Sequence, residues 1–214
     1  MKLVAMLLLL AAGAGSAAGQ SATDIAARAS RTYRSFGSIR ASFHQVIEDR
    51  MIGTQESRGE LVQSGTAHLA MRFSDPKGDM IVLDGTYLWL YTPSTTPGQV
   101  IRMPIPSDPV YGPNVLARIL DKTTDRYQIE WLGADSVENR TVDVLEFIPT
   151  SDDPLFSRAV ISFDRQTLVP RRLELDERSG VRRTLTLSRV RTNATVSRSE
   201  FVFEVPNGVR VVDR

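Results

Sequence analysis

Residues 59–93 constrain the fold of this chain most strongly, because short apolar runs alternate there with tight-turn chemistry. Turn residues recur as Ser-Gly at 64–65, as Asp-Pro-Lys-Gly at 75–78 and as Asp-Gly at 84–85. Proline presets φ in such turns, glycine supplies positive φ, and an Asp-Gly pair between apolar runs indicates a β-hairpin. The stretch therefore predicts four consecutive strands joined by tight turns.

The last of these strands is apolar on both faces. Tyr87, Trp89 and Tyr91 share one face because side chains alternate along a strand. Leu88 and Leu90 fill the opposite face. An antiparallel sheet with one face in water alternates apolar and polar residues instead. Something must therefore cover the second face of this strand: a helix, a second sheet or a ligand.

The rest of the chain repeats this pattern, which gives about eleven strand candidates spaced about ten residues apart. One of them, at 201–205, lies near the end of the sequence. A first helix is predicted to begin at Thr23 or Asp24 and to end at Gly37, since apolar residues recur there at helical spacing. No internal repeat or low-complexity linker divides the chain, so we expect one antiparallel barrel or curled sheet in a single domain.

A second, short amphipathic helix is predicted at 114–122, after a proline-rich loop. Its apolar face carries Val115, Leu116, Ile119 and Leu120. A helix of this length does not persist alone in water, so it must rest on an apolar surface.

The N-terminus has the three parts of a secretory signal peptide. Lys2 precedes a short apolar run, and small residues follow up to Gly19. The apolar run is too short for a membrane span. We therefore expect residues 1–19 to be removed and residues 20–214 to form one exported domain. Because the sequence contains no cysteine, we expect neither disulfides nor a lipid anchor on an N-terminal cysteine.

Charge and motifs argue against several classes of function. With 26 basic and 25 acidic residues, the chain has no strong field that would attract nucleic acid. The two histidines, His44 and His68, are not part of a recognisable ligand set, so we expect no metal site. No nucleophile elbow, zinc-protease motif or phosphate-binding loop occurs, so we expect no catalytic residue and no cofactor.

Three pieces of the sequence carry a resemblance to a known family. They are ASFHQ at 41–45, the block DP…IVLDG…LWLY…P at 75–93, and FVFEVPNGV at 201–209. In order and spacing they resemble LolA, the periplasmic lipoprotein carrier family. The resemblance implies a mainly β fold, an open, incomplete antiparallel β-barrel with an N-terminal helix and a short lid helix that covers an apolar concave face. It also implies acyl-chain binding and transfer of lipoproteins from the inner membrane toward the outer membrane. We expect such a carrier to work in the periplasm as a monomer.

The resemblance implies two partners besides the lipidated cargo, an inner-membrane lipoprotein-releasing transporter and an outer-membrane receptor. Two alternatives stay open: a lipid-binding or sensing module of the same fold that does not transport its cargo, and an enzyme that acts on a lipid. The enzyme ranks below the others because no activated nucleophile is apparent. The predicted cavity residues are Phe43, Leu69, Met71, Phe73, Leu83, Trp89, Tyr91, Val115, Leu116, Ile119 and Leu120.

The sequence departs from the family at one position. The family commonly carries an arginine between a basic residue and a proline at the start of the third strand, where it affects lid closure and handover. An ungapped count back from Asp75-Pro76 places Gly65 at that position. Because of this departure, a lipid-binding module that does not transport its cargo remains an alternative.

Overall fold

The computed structural model describes residues 15–105, 114–121, 123–153 and 155–214. Within these residues the helices are α1 Gly15–Ser35, α2 Val115–Asp121 and α3 Thr123–Arg126, with a 3-10 turn at Arg198–Phe201. The strands are β1 Ser38–Asp49, β2 Gly53–Ser64, β3 His68–Asp75, β4 Lys77–Asp84, β5 Tyr87–Tyr91, β6 Gln99–Pro104, β7 Tyr127–Val137, β8 Arg140–Pro149, β9 Phe156–Asp164, β10 Pro170–Glu177, β11 Arg182–Thr192 and β12 Arg210–Asp213.

The twelve strands of the described residues form one sheet in the order β12-β6-β5-β4-β3-β2-β1-β11-β10-β9-β8-β7. Neighbouring strands are antiparallel, except that β12 pairs with β6 in parallel. Because β12 and β7 stand at opposite ends of this order, the sheet is open. The prediction of a mainly β, incomplete antiparallel barrel is confirmed.

The hairpins between β2 and β5 lie where local turn chemistry predicts them. Gly85, in the turn between β4 and β5, has a φ of 96°. A Cβ atom at this position would also lie 2.9 Å from Nε2 of His68. Glycine therefore satisfies both the backbone geometry and the close approach of a neighbouring side chain.

Helix α1 packs on the sheet through its small residues. Ala22, Ala26 and Ala29 are fully buried, in one cluster with the aromatic side chains of β8 and β9. The helix begins at Gly15, so the predicted N-cap at Thr23 or Asp24 is wrong and both residues lie inside the helix. The predicted signal peptide stays a prediction, because residues 1–14 lie outside the described part of the chain.

The segment after the 3-10 turn covers the outer face of β3, β4 and β5. Phe203 stacks on Trp89 with ring centroids 5.3 Å apart and lies 5.6 Å from Tyr91. The three belong to a cluster with Phe201 and Val82. The predicted strand at 201–205 is wrong, because this segment buries its phenylalanines without joining the sheet.

Candidate functional site

An apolar cavity of about 510 Å³ lies on the inner face of the sheet, beside α2. One wall comes from β3 to β6, the opposite wall from β9 to β11, and α2 contributes Val115. The apolar lining residues are Met71, Ile81, Leu88, Leu90, Met103, Pro104, Val115, Leu155, Phe156, Leu173, Leu175 and Leu185. Its volume falls within the range typical of ligand pockets, about 300–1,000 Å³.

Strand register builds the first wall. Met71 pairs with Ile81, and Ile81 pairs with Leu90, so the three side chains form one row across β3, β4 and β5. Leu88 lies beside this row, two residues along β5. The strand that is apolar on both faces therefore has Leu88 and Leu90 on the cavity and its aromatic residues under the C-terminal segment.

The C-terminal half of helix α2 is anchored to the core. Ile119 and Leu120 have no exposed surface, and Oγ of Ser30 in α1 donates a hydrogen bond of 2.5 Å to the carbonyl of Leu120. Nη2 of Arg118 lies 2.6 Å from Oδ2 of Asp153, and each side chain is only 8% exposed. These contacts hold the helix beside the cavity.

The start of α2 is held by neutral hydrogen bonds at the turn between β2 and β3. Nδ2 of Asn114 donates to the carbonyl of Thr66 at 3.3 Å, and Oδ1 of Asn114 accepts from the amide of Ala117 at 3.2 Å. The hydroxyl of Tyr33 donates to Oε1 of Gln63 at 2.9 Å, and burial raises the pKa of this tyrosine above its ordinary value. Neutral groups thus connect this turn to α2 where the chain carries Gly65.

The predicted cavity residues separate into four groups. Met71 and Val115 line the cavity. Phe43, Leu69, Phe73, Leu83 and Leu116 belong to the apolar cluster that adjoins it through Met71 and Ile81. Ile119 and Leu120 lie in the core with α1, and Trp89 and Tyr91 lie on the outer face of the sheet.

Four of these residues were predicted to line the cavity and lie outside it: Trp89, Tyr91, Ile119 and Leu120. Trp89 and Tyr91 are outside the cavity because Phe203 covers them on the other face of β5. Ile119 and Leu120 are outside it because their side of α2 packs on α1. Leu88 and Leu90 were missed, although strand alternation placed them together on one face of the strand. The pattern did not show which face turns inward.

Three polar residues, Gln45, Glu177 and Arg183, complete the described lining of the cavity. Nε of Arg183 donates to Oε1 of Glu177 at 2.8 Å, and Nη1 donates to Oε1 of Gln45 at 3.2 Å. No pattern in the sequence indicates that these three residues lie together.

None of the helices in the described part of the chain has the length and apolar character that crossing a membrane requires. Among the same residues, no group of three or more His, Cys, Asp or Glu side chains is placed to hold a metal ion.

An open antiparallel sheet with an apolar cavity on its inner face and a short helix beside it defines the half-barrel class of β proteins. The family model described as outer membrane lipoprotein carrier protein LolA matches residues 34–204, and the chain belongs to this family.

Individual relatives agree with this family. The chain is 26% identical over 195 residues to an outer-membrane lipoprotein carrier protein of Chromohalobacter salexigens, covering 90% of this chain and 89% of that protein. It is 27% identical over 160 residues to a protein of the same description from Hahella chejuensis, covering 74% of this chain and 73% of that protein. An uncharacterized conserved protein from Thermus thermophilus has a similar fold, with a TM-score of 0.58, 14% identity, and coverage of 91% of this chain and 100% of that chain.

Proposed function

We propose that this protein carries lipoproteins through the periplasm toward the outer membrane by binding their acyl chains in the apolar cavity. The observation that carries the proposal is the cavity itself: a continuous apolar wall of Met71, Ile81, Leu88 and Leu90, with the helix residue Val115 beside it. Membership of the lipoprotein carrier family supports the same cargo.

The energetics of acyl burial constrain how such a carrier works. At about 0.8 kcal/mol per buried methylene, one ~16-carbon chain gains roughly 12 kcal/mol when fully buried. A carrier that kept all of this free energy would not release its cargo. Contacts that the start of α2 makes in the empty protein offset part of it, because a ligand can gain only the difference in free energy between the empty and the filled state.

The proposal includes two partners and one location. After removal of residues 1–19, the mature chain works as a monomer in the periplasm. It receives cargo from an inner-membrane lipoprotein-releasing transporter and delivers it to an outer-membrane receptor. Neither step needs a catalytic residue or a cofactor, since the acyl chains move between apolar sites.

Native mass spectrometry with a purified triacylated lipoprotein tests the proposal. The unaltered protein is expected to retain the lipoprotein in a one-to-one complex. Leu90→Asp and Val115→Asp place a carboxylate in the cavity lining and are expected to abolish that complex. Leu132→Asp is the matched control, because Leu132 is 49% exposed on β7 and is not among the residues that line the cavity.

Retention of the lipoprotein by both cavity variants would contradict the proposal. Binding of a free fatty acid or a glycolipid, without binding of the lipoprotein, would instead favour the non-transporting lipid-binding module. Ile119 is unsuitable for this test, because it is fully buried in the core and an aspartate there would unfold the domain.

A further inference from the structure

The apolar lining of the cavity ends in a polar residue on each of three adjacent strands. On β10, Leu173 and Leu175 line the cavity, and Glu177 is the next residue on that face. On β11, Leu185 lines it and Arg183 is the next residue on that face. On β1, Gln45 lies opposite Leu185, two residues before Ile47, which pairs with Arg183. A polar group thus closes one end of an otherwise apolar surface.

This polar group lies at the mouth of the cavity. The side chains of Arg183 and Glu177 are 35% and 25% exposed, so they contact both the cavity and water. Gln45 is only 8% exposed, and its Nε2 donates to Oγ of Ser57 at 3.2 Å. A ligand whose tail fills the cavity would place its polar end beside these three side chains.

The group is electrically neutral and offers hydrogen-bond donors. Glu177 accepts from Nε of Arg183 at 2.8 Å and from Oγ of Ser179 at 3.3 Å. The charge of the guanidinium is therefore already balanced by a carboxylate. Two of the five N–H groups of an arginine are engaged by Glu177 and Gln45, which leaves the others for an acceptor on a ligand.

The polar residues at the mouth should bind a neutral carbonyl more favourably than an ionised carboxylate. A carbonyl oxygen needs a donor, which Arg183 supplies. A carboxylate must in addition lose its water and approach Glu177, a like charge.

We propose that Arg183, Glu177 and Gln45 form a polar subsite that selects ester- or amide-linked acyl chains over free fatty acids. The inference rests on the proposed function and deepens it, because the acyl chains of a lipoprotein are held in ester and amide linkages. Free fatty acid is then a poor competitor for the cavity.

Two ligands of equal chain length test this selectivity, monomyristoylglycerol and myristate. Each displaces the neutral dye N-phenyl-1-naphthylamine from the purified protein at a pH of about 9, where a carboxylic acid is ionised. The ester is expected to bind about tenfold more tightly than the carboxylate. Glu177→Gln releases the charge of Arg183 and is expected to raise the affinity for myristate about tenfold. Arg183→Gln is expected to weaken binding of the ester about threefold to tenfold.

Asp176→Asn is the matched control. Asp176 and Arg182 form a pair at the same distance of 2.8 Å on the same two strands, and neither is among the residues that line the cavity. Adjacent residues of a strand point to opposite faces, so this variant leaves the ratio of the two affinities unchanged.

The outcomes separate the two proposals. Equal affinities of the unaltered protein for ester and carboxylate would overturn the selectivity and leave acyl binding intact. Selectivity that persists in both Glu177→Gln and Arg183→Gln would overturn its assignment to these residues. If neither ligand displaces the dye, the selectivity and the proposed function both fail.

Discussion

Replacing Asp153 by asparagine tests how firmly α2 is held beside the cavity. Asp153 and Arg118 are joined at 2.6 Å and each is only 8% exposed, so the variant removes a negative charge that faces a buried guanidinium. Breaking a buried ion pair by removing one partner costs about 3–5 kcal/mol, because the remaining charge is left in a poorly solvated site. The amide oxygen of asparagine can still accept from the amide of Leu155, as Oδ1 of Asp153 does at 2.8 Å.

The free energy of unfolding, measured by urea denaturation, gives the size of this loss. A loss of about 3–5 kcal/mol is large against the 5–15 kcal/mol that stabilises a typical domain. Asp213→Asn is the matched control. Asp213 lies 2.6 Å from Arg102, but these side chains are 66% and 32% exposed, so this variant should leave the free energy of unfolding nearly unchanged.

A second substitution distinguishes a buried charge from general damage. Arg118→Met, added to Asp153→Asn, removes the guanidinium and should restore part of the lost stability. If Asp153→Asn loses less than about 1 kcal/mol, or if the double variant is no more stable than the single one, the argument from the buried pair is refuted.

Three further predictions concern the rest of the sheet. Phe203→Ala should lose about 3–5 kcal/mol and shift the fluorescence of the tryptophan on β5 to the red; an unchanged spectrum would contradict the packing described. Burial raises the pKa of Asp164, but hydrogen bonds, led by that from Arg140, outweigh it and hold this pKa far below its ordinary value. The stability that ionised Asp164 contributes is therefore complete above the unfolded-state pKa of about 3.9 and is lost as the pH falls toward the folded-state value. Asp164→Asn should thus make the free energy of unfolding, measured by urea denaturation, depend less on pH in the acid range. Gly85→Ala should lose about 1–3 kcal/mol in thermal unfolding while Gly98→Ala does not, since a Cβ atom at Gly98 meets nothing within 4 Å; equal losses would disprove the role of positive φ.

Local chemistry predicts the strands because each hairpin is specified by neighbouring residues. The turns at 75–78 and 84–85 carry their own proline and glycine, so β3, β4 and β5 follow from the sequence. The helix at Val115–Asp121 follows in the same way from its apolar spacing. These features need no knowledge of distant segments.

The inward face of β5 could not be predicted, because a distant segment decides it. Alternation separates Leu88 and Leu90 from Trp89 and Tyr91, and both sets are apolar. Phe203, more than a hundred residues further along the chain, covers one set and leaves the other to the cavity. The alternating phenylalanines of this segment predict a strand, although they cover a sheet without joining it.

The polar contacts of the site are also non-local. Arg118 and Asp153 are 35 residues apart in the sequence, and Arg183 and Gln45 are 138 apart. No sequence motif indicates such pairs, since each forms only when the curled sheet brings its strands together.

The covered outer face of β5 makes the two sides of the cavity unequal in stiffness. An unfilled cavity gives its lining fewer dispersion contacts, so its walls tend to collapse inward. The wall of Ile81, Leu88 and Leu90 resists this because the stacked rings of Trp89 and Phe203 brace it from behind. Val115 bounds the cavity at the start of a seven-residue helix whose buried anchors, Ile119 and Leu120, lie in its C-terminal half. We therefore expect changes in cavity volume to displace the start of this helix, while the braced wall keeps a constant shape toward any occupant.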